Sequence, residues 1–272
     1  MNDTPIQLLV RADDIGMCHA ANEATIRVFT DGICRSCELM IVTPWFPEAV
    51  EMLKAHPDYD VGIHLALTSE WDRMKWRPIT GRSSLCDKDG YFMPTFWSRE
   101  DGRTLANVDW KIEDAEKEIE AQVEVALDNL GDQVTHIAGM HMGGTSFDER
   151  IGACVEKIAR ETNRHVDLDA AGFGYFRGFQ GEDGSGVDPG EMVARFRENL
   201  EALEPGRYLH VEHPGLDCDE MRPLGHNGDG LVARQRQAVT DAWTDPGVQR
   251  IIADRGIRLV SYGDVARGIQ DQ

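Results

Sequence analysis

Short β-rich runs alternate with amphipathic helical patterns along most of this chain, and few folds accommodate that alternation. Strands separated by helices belong to a parallel sheet or barrel built from βα units. Strands are expected near 7–11, 35–42, 61–67, 134–138, 165–168, 207–212 and 258–261, and helices near 20–30, 47–55, 112–130, 148–162, 191–203, 231–243 and 247–255. The clearest helix is 112–130, where Ile112, Ile119, Val123, Ala126, Leu127 and Leu130 make an apolar stripe among acidic neighbours. Such a stripe packs on a sheet. Two stretches break the pattern: 68–109, which holds Trp71, Trp76 and Trp97, and 170–190, rich in glycine and aromatics. Loops this long inside a compact domain are functional or disordered, and their aromatics favour walls of a cleft. With no internal repeat or composition shift, the 272 residues read as a single α/β domain, 1–272, with long decorated loops.

Charge removes several classes of function. Asp and Glu number 48 against 28 Lys and Arg, a formal net charge of -20, which repels nucleic acid and disfavours anionic membrane surfaces. No stretch approaches the about 20 apolar residues of a membrane-spanning helix. The first residues, Met1 to Pro5, lack the basic segment of a signal peptide. Six cysteines in a chain of this length are too sparse for a disulfide framework and suggest a reducing compartment. The cytoplasm is the expected location. Cys34 and Cys37 form one C-x-x-C, but with no second pair or nearby histidine they read as two core thiols rather than a zinc site.

Polar residues gather where strands are expected to end: Asp13-Asp14 after the first, His64 in the third, His141 beyond the fourth and His213 after the sixth. Taken singly, each has a bland explanation. An Asp-Asp pair suits a solvated turn or helix cap, a lone histidine in an apolar strand suits a backbone-bonded core residue, and His213-Pro214 suits a turn. Jointly they lie on the edge where parallel α/β folds build active sites. Asp14, His64 and His141 form a minimal ligand set for a catalytic divalent metal, with positions left open for water and substrate. Asp13, held beside them, is placed to accept a proton. Two adjacent carboxylates at the mouth of a packed sheet need compensation, and a divalent cation provides it. The other histidines (His19, His136, His165, His210, His226) are assigned to structure or surface, His136 least securely because it lies five residues before His141.

At these residues the sequence resembles the YdjC-like carbohydrate deacetylases, the diacetylchitooligosaccharide deacetylase family. Ala12-Asp13-Asp14-Ile15-Gly16 is similar to that family's Ala-Asp-Asp-Phe-Gly, and Asn22-Glu23-Ala24 to its following helix. Gly62-Ile63-His64-Leu65, Thr135-His136-Ile137 with His141, Glu212-His213-Pro214 and the closing Gly256 to Tyr262 match later motifs in order. The resemblance implies a NodB-like distorted (β/α) barrel and metal-dependent removal of an N-acetyl group from an amino sugar. It implies Asp14, His64 and His141 as metal ligands, Asp13 as base and His213 as the acid that protonates the leaving amine. Three departures stand out: Arg11 where Asn is common, Ala138-Gly139 in place of Asp-Ser, and a one-residue insertion before His141. An aspartate that would orient a ligand histidine is therefore absent from the fourth strand.

The expected cofactor is one divalent metal ion, Zn or Mg, with Mn, Fe or Co also compatible with the donor set. Arg11, Trp71 and Trp76 are candidate substrate contacts; packing of the tryptophans between loop and barrel is the plain alternative. The expected partner is a small N-acetylated sugar. A sugar-binding or regulatory protein on the same barrel is one competing reading. A non-haem iron oxygenase, which shares a two-histidine, one-carboxylate triad, is another. The sequence leaves open whether the chain is a homo-oligomer.

Overall fold

The computed structural model describes residues 5–181, 183–225 and 228–268; His226 lies outside the described residues. The first strand, β1 (Gln7–Ile15), is buried along its whole length. It runs past its expected end and carries both aspartates within it. Around it lie β2 (Ser36–Leu39), β3 (Val61–Leu65), β4 (Val134–Met140), β5 (Phe173–Tyr175), β6 (Arg207–Glu212) and β7 (Arg258–Val260). The order is β4-β3-β2-β1-β6-β5 with β7 added on β1, and every pairing is parallel. Arg258 N donates to Ile6 O and Arg35 N to Val10 O. These carbonyls are four residues apart, so β7 and β2 occupy successive stretches of one edge of β1 while β6 takes the other. The described strands leave β4 and β5 unpaired with each other, and a cleft of about 600 Å³ lies between them. The expected α/β barrel is thus an incompletely closed parallel sheet.

Helices α1 (His19–Thr30), α2 (Phe46–Lys54), α3 (Ile112–Leu130), α4 (Gly144–Phe147), α5 (Glu149–Glu161), α6 (Met192–Glu201), α7 (Leu231–Trp243), α8 (Pro246–Asp254) and α9 (Tyr262–Ala266) connect the strands. Their starts are set by local chemistry. Asp148 and Asp245 cap α5 and α8 by accepting backbone N–H groups, and Pro246 opens α8 where its missing donor costs nothing. Among the described residues no helix is long and apolar enough to cross a membrane.

Strand alternation divides the interior in two. Leu8, Val10 and Ala12 of β1 join the large cluster shared with helix residues such as Val28, Ile119 and Trp243. Leu9, on the opposite face, joins a small inner cluster of Phe173, Leu209, Val260 and Tyr262. The next inward positions of β1 are Arg11 and Asp13, so the floor of the barrel is apolar and the layer above it is charged.

The strand expected at 165–168 does not form a ladder. Ile137 N donates to Arg164 O, after which Val166 and Leu168 pack against the inner cluster. Their spacing records burial rather than pairing. The fifth strand is instead the three-residue β5, inside what reads in sequence as a glycine-rich loop.

Candidate active site

A cleft of about 640 Å³ opens at the carboxyl ends of β1, β3, β4 and β6, and Asp13, Asp14, His64, His141, His213 and Arg236 line it. Both long loops wall it, 68–109 through Glu70 and Trp71, and 170–190 through Phe179 and Val187.

Consecutive residues of a regular strand face opposite sides, yet Asp13 and Asp14 both reach this cleft. Asp14 has φ 74°, in the left-handed region, and the β1–β2 register shifts between Ala12 and Ile15. Aspartate tolerates that backbone better than most residues. The irregularity at the strand's end is what turns two neighbouring carboxylates toward one space.

Each carboxylate has its own arginine. Arg11 grips Asp13 with two bonds, Nε to Oδ1 at 2.8 Å and Nη2 to Oδ2 at 3.0 Å, and donates through Nη1 to Tyr262 Oη at 2.7 Å. Burial alone would raise the Asp13 carboxyl; the guanidinium overrides it and holds the group below the usual carboxylate range. Asp14 Oδ2 accepts from Arg236 Nη2 at 2.7 Å. Against the same cost of burial, Arg236, with help from His213 and His64, keeps Asp14 strongly acidic. Arg11, expected to meet substrate, is committed to these protein contacts, although it remains on the cleft wall.

The histidines are arranged back to front. His64 Nε2 lies 3.5 Å from Asp14 Oδ1 and its Nδ1 lies 3.8 Å from Glu38 Oε2. His141 bonds through Nδ1 to Thr68 Oγ1 at 3.0 Å and turns Nε2 toward Glu70, 3.5 Å away. The two rings meet edge to face, centroids 5.8 Å apart. His213 is half-exposed on the cleft; burial lowers its pKa, but Asp14 and Glu212 outweigh that and raise it above the ordinary imidazole value. Trp76 is buried behind His141, with its indole N–H on Thr68 O at 2.7 Å, and Trp71 stands on the cleft wall.

Beneath this layer Glu38 is fully buried beside Arg11 and His136. Burial, only partly offset by Arg11, pushes its carboxyl up to about 7. His136 stacks on Tyr262 with centroids 3.7 Å apart, and burial lowers it to about 3. Its place is structural, under the cleft rather than in it. Glu38, Arg236, Thr68 and Tyr262 were not singled out in the sequence. Two left a readable mark: Glu38 is a charge inside an apolar strand, and Arg236 falls on the buried stripe of α7 with Ala233, Val239, Thr240 and Trp243.

Asp14 Oδ1 is a buried oxygen without a hydrogen-bond partner, facing an imidazole nitrogen, with the second imidazole adjacent. Donors of this identity fit a divalent cation. Among the described residues no three His, Cys, Asp or Glu side chains already converge as metal ligands do, and Arg236 holds the other Asp14 oxygen.

A parallel α/β sheet with paired carboxylates and histidines along its carboxyl edge defines a class of α/β barrel that gathers carboxylates and imidazoles in one cleft. The chain belongs to the YdjC-like protein family, whose family model matches residues 7–254. It is 28% identical over 267 residues, covering 94% of this chain and 95% of the relative, to a protein of Vibrio cholerae serotype O1 named carbohydrate deacetylase. A protein of Thermoanaerobacter pseudethanolicus with the same name is 26% identical over 264 residues, covering 94% and 97%. Among solved structures, one from Enterococcus faecalis, provisionally described as a cellobiose-phosphate cleavage protein, superposes with TM-score 0.72 at 20% identity, covering 96% of this chain and 99% of that one. That likeness establishes the fold.

Proposed function

We propose that this chain is a metal-dependent hydrolase that removes an N-acetyl group from an amino sugar or short oligosaccharide. The observation that carries the reading is geometric: Asp13 and His213 face one cleft with Asp14, His64 and His141, and the charges around them lower Asp13 and raise His213. Environments that push acid and base apart in this way mark their roles. The relatives' shared name suggests the substrate class.

Asp14, His64 and His141 are the residues that would hold the metal, which when bound polarises the acetyl carbonyl and the attacking water. Asp13 removes a proton from that water as its oxygen adds to the carbonyl carbon. The C–N bond then breaks, and His213 gives its proton to the departing nitrogen, leaving acetate and a free amine. An amine expelled unprotonated is a very poor leaving group, so the acid is as necessary as the base. Arg11 serves by keeping Asp13 ionised and aimed. Trp71 reaches the cleft wall with 8% of its surface exposed and Arg236 over its ring, while Trp76 steadies His141 from behind.

A panel of N-acetylated sugars assayed for acetate tests the reading. Asp13→Asn and His213→Ala should each lower kcat by about 10² to 10⁴ with little change in substrate affinity. Wild-type turnover in either variant would remove that residue from its role; no acetate from any sugar would sink the whole reading. One contact favours the alternative of sugar binding without chemistry, Arg236 on Asp14. Zinc titration of the metal-free protein separates the two, because a binder locked by Arg236 takes up no metal at Asp14.

A further inference from the structure

Two buried polar atoms face each other at the back of the site and neither has a hydrogen-bond partner: His64 Nδ1 and Glu38 Oε2, 3.8 Å apart. A buried donor or acceptor left unpaired is costly, and the two atoms need approach by only about 1 Å for Nδ1 to donate to Oε2 at hydrogen-bond distance. The other Glu38 oxygen, also without a hydrogen-bond partner, points away from His64, 3.0 Å from His136 Nε2 and 3.6 Å from Arg11 Nη1, so Oε2 is the oxygen that faces His64.

Gly139 borders the space that Glu38 reaches into and puts no side chain there. A Cβ at Gly139 would lie 3.6 Å from His64 Nδ1, 3.8 Å from Arg11 Nη2 and 3.9 Å from Glu38 Oε2. The β3–β4 register shifts before this point, with Gly62 opposite His136 and His64 opposite Gly139, and the shift brings position 139 to the back of the His64 ring. The fourth strand thus presents nothing to that ring, and the second strand supplies a carboxylate in its place.

The geometry points to Glu38 as the positioning residue for His64, a carboxylate of β2 behind the ring that fixes the imidazole with its proton on Nδ1 and leaves Nε2 on the side of Asp14. This rests on the metal-dependent reading above. Carboxylates placed behind ligand histidines fix the tautomer and raise ligand basicity. Arg11 belongs to the same device: it is shared between Asp13 and Glu38, so it links the general base to the ligand's support.

The test uses metal-free protein with ¹⁵N-labelled histidine. In the wild type His64 should be a single tautomer protonated at Nδ1; in Glu38→Ala it should become a mixture, and Zn²⁺ affinity by calorimetry should fall about 10- to 100-fold. The double variant Glu38→Ala/Gly139→Asp, which offers a carboxylate to the same nitrogen from β4, should recover both. Glu38→Gln, nearly identical in shape, controls for packing and should weaken Zn²⁺ binding while circular dichroism stays that of the wild type. Unchanged tautomer and unchanged Zn²⁺ affinity in folded Glu38→Ala and Glu38→Gln would overturn the inference. The deacetylase reading fails on a different result, absence of acetate release by the wild type, whereas the tautomer in metal-free protein reports on Glu38 alone.

Discussion

Asp13 and Asp14 are adjacent in sequence and chemically separate in the fold. What separates them is their cations: Arg11, two residues away on the same strand, and Arg236, which is 222 positions along the chain. The pair was legible because carboxylates at the mouth of an apolar strand require compensation. Their arginines were less so: Arg11 faces inward only if the strand continues to Ile15, and Arg236 enters only when α7 packs. Arg11 yields a prediction. With Arg11→Met, Asp13 loses the group that holds its pKa down while keeping the burial that raises it. The acidic limb of the kcat/KM profile should therefore move to higher pH. At pH 7 urea unfolding should show a loss of about 3 to 5 kcal/mol, the usual result of removing one partner of a buried pair. The sign follows from linkage: a carboxyl lowered in the native state stabilises above its unfolded pKa and loses that contribution as pH falls through its folded value. A pH profile identical to wild type would show that Arg11 does not tune Asp13.

Elements were read more securely than the contacts that join them. The helices at 112–130 and 231–243 stand at the expected bounds because their apolar periodicity is long enough to be unambiguous. A three-residue strand has no period to detect, which hid β5, and Val166 and Leu168 mimic a strand by burying alternate side chains without a ladder. Also hidden was the clamp at Asp60, just before β3. Its carboxylate accepts from Ser36 Oγ of β2, Thr135 Oγ1 of β4 and the Tyr262 and Gly263 N–H groups that open α9. One side chain thus ties three segments distant in sequence, and it sits at a helix N-terminus, where negative charge is favoured. Asp60→Ala leaves two hydroxyls and two amides without their charged acceptor. At about 1.5 to 3 kcal/mol for hydrogen bonds to charged groups, with incomplete additivity, the loss should be about 3 to 5 kcal/mol. The melting temperature should fall by roughly 6 to 20 °C, and a drop smaller than about 2 °C by calorimetry would show that the clamp is dispensable. Because Tyr262 also receives Arg11, the loss should be accompanied by weaker catalysis even where the protein remains folded.

At the scale of the whole molecule, a net charge of -20 opposes compaction at neutral pH, and burying a further carboxyl at Glu38 adds to that opposition. Glu38 is raised from 4.5 to about 7, chiefly by burial. A group whose folded pKa lies above its unfolded value contributes stability below the unfolded value and loses it as pH rises through the folded one. His213, also raised, acts in the same direction. Asp13 and Asp14, both lowered, act oppositely and only at more acidic pH. Between about pH 4.5 and pH 7 the Glu38 carboxyl alone should therefore cost the metal-free protein up to about 3 kcal/mol, a decline that His136 and His210, both lowered by burial, oppose below the ordinary imidazole range. Glu38→Gln mimics the protonated acid, so it should change the melting temperature little at pH 5. At pH 7.5, in the presence of a chelator, it should raise it by several degrees, on the scale of roughly 2 to 4 °C per kcal/mol. Equal shifts at both pH values would mean that the Glu38 charge carries no folding cost. A variant that gains stability at the pH where it loses zinc affinity would place Glu38 among residues retained for the site against the interest of the fold.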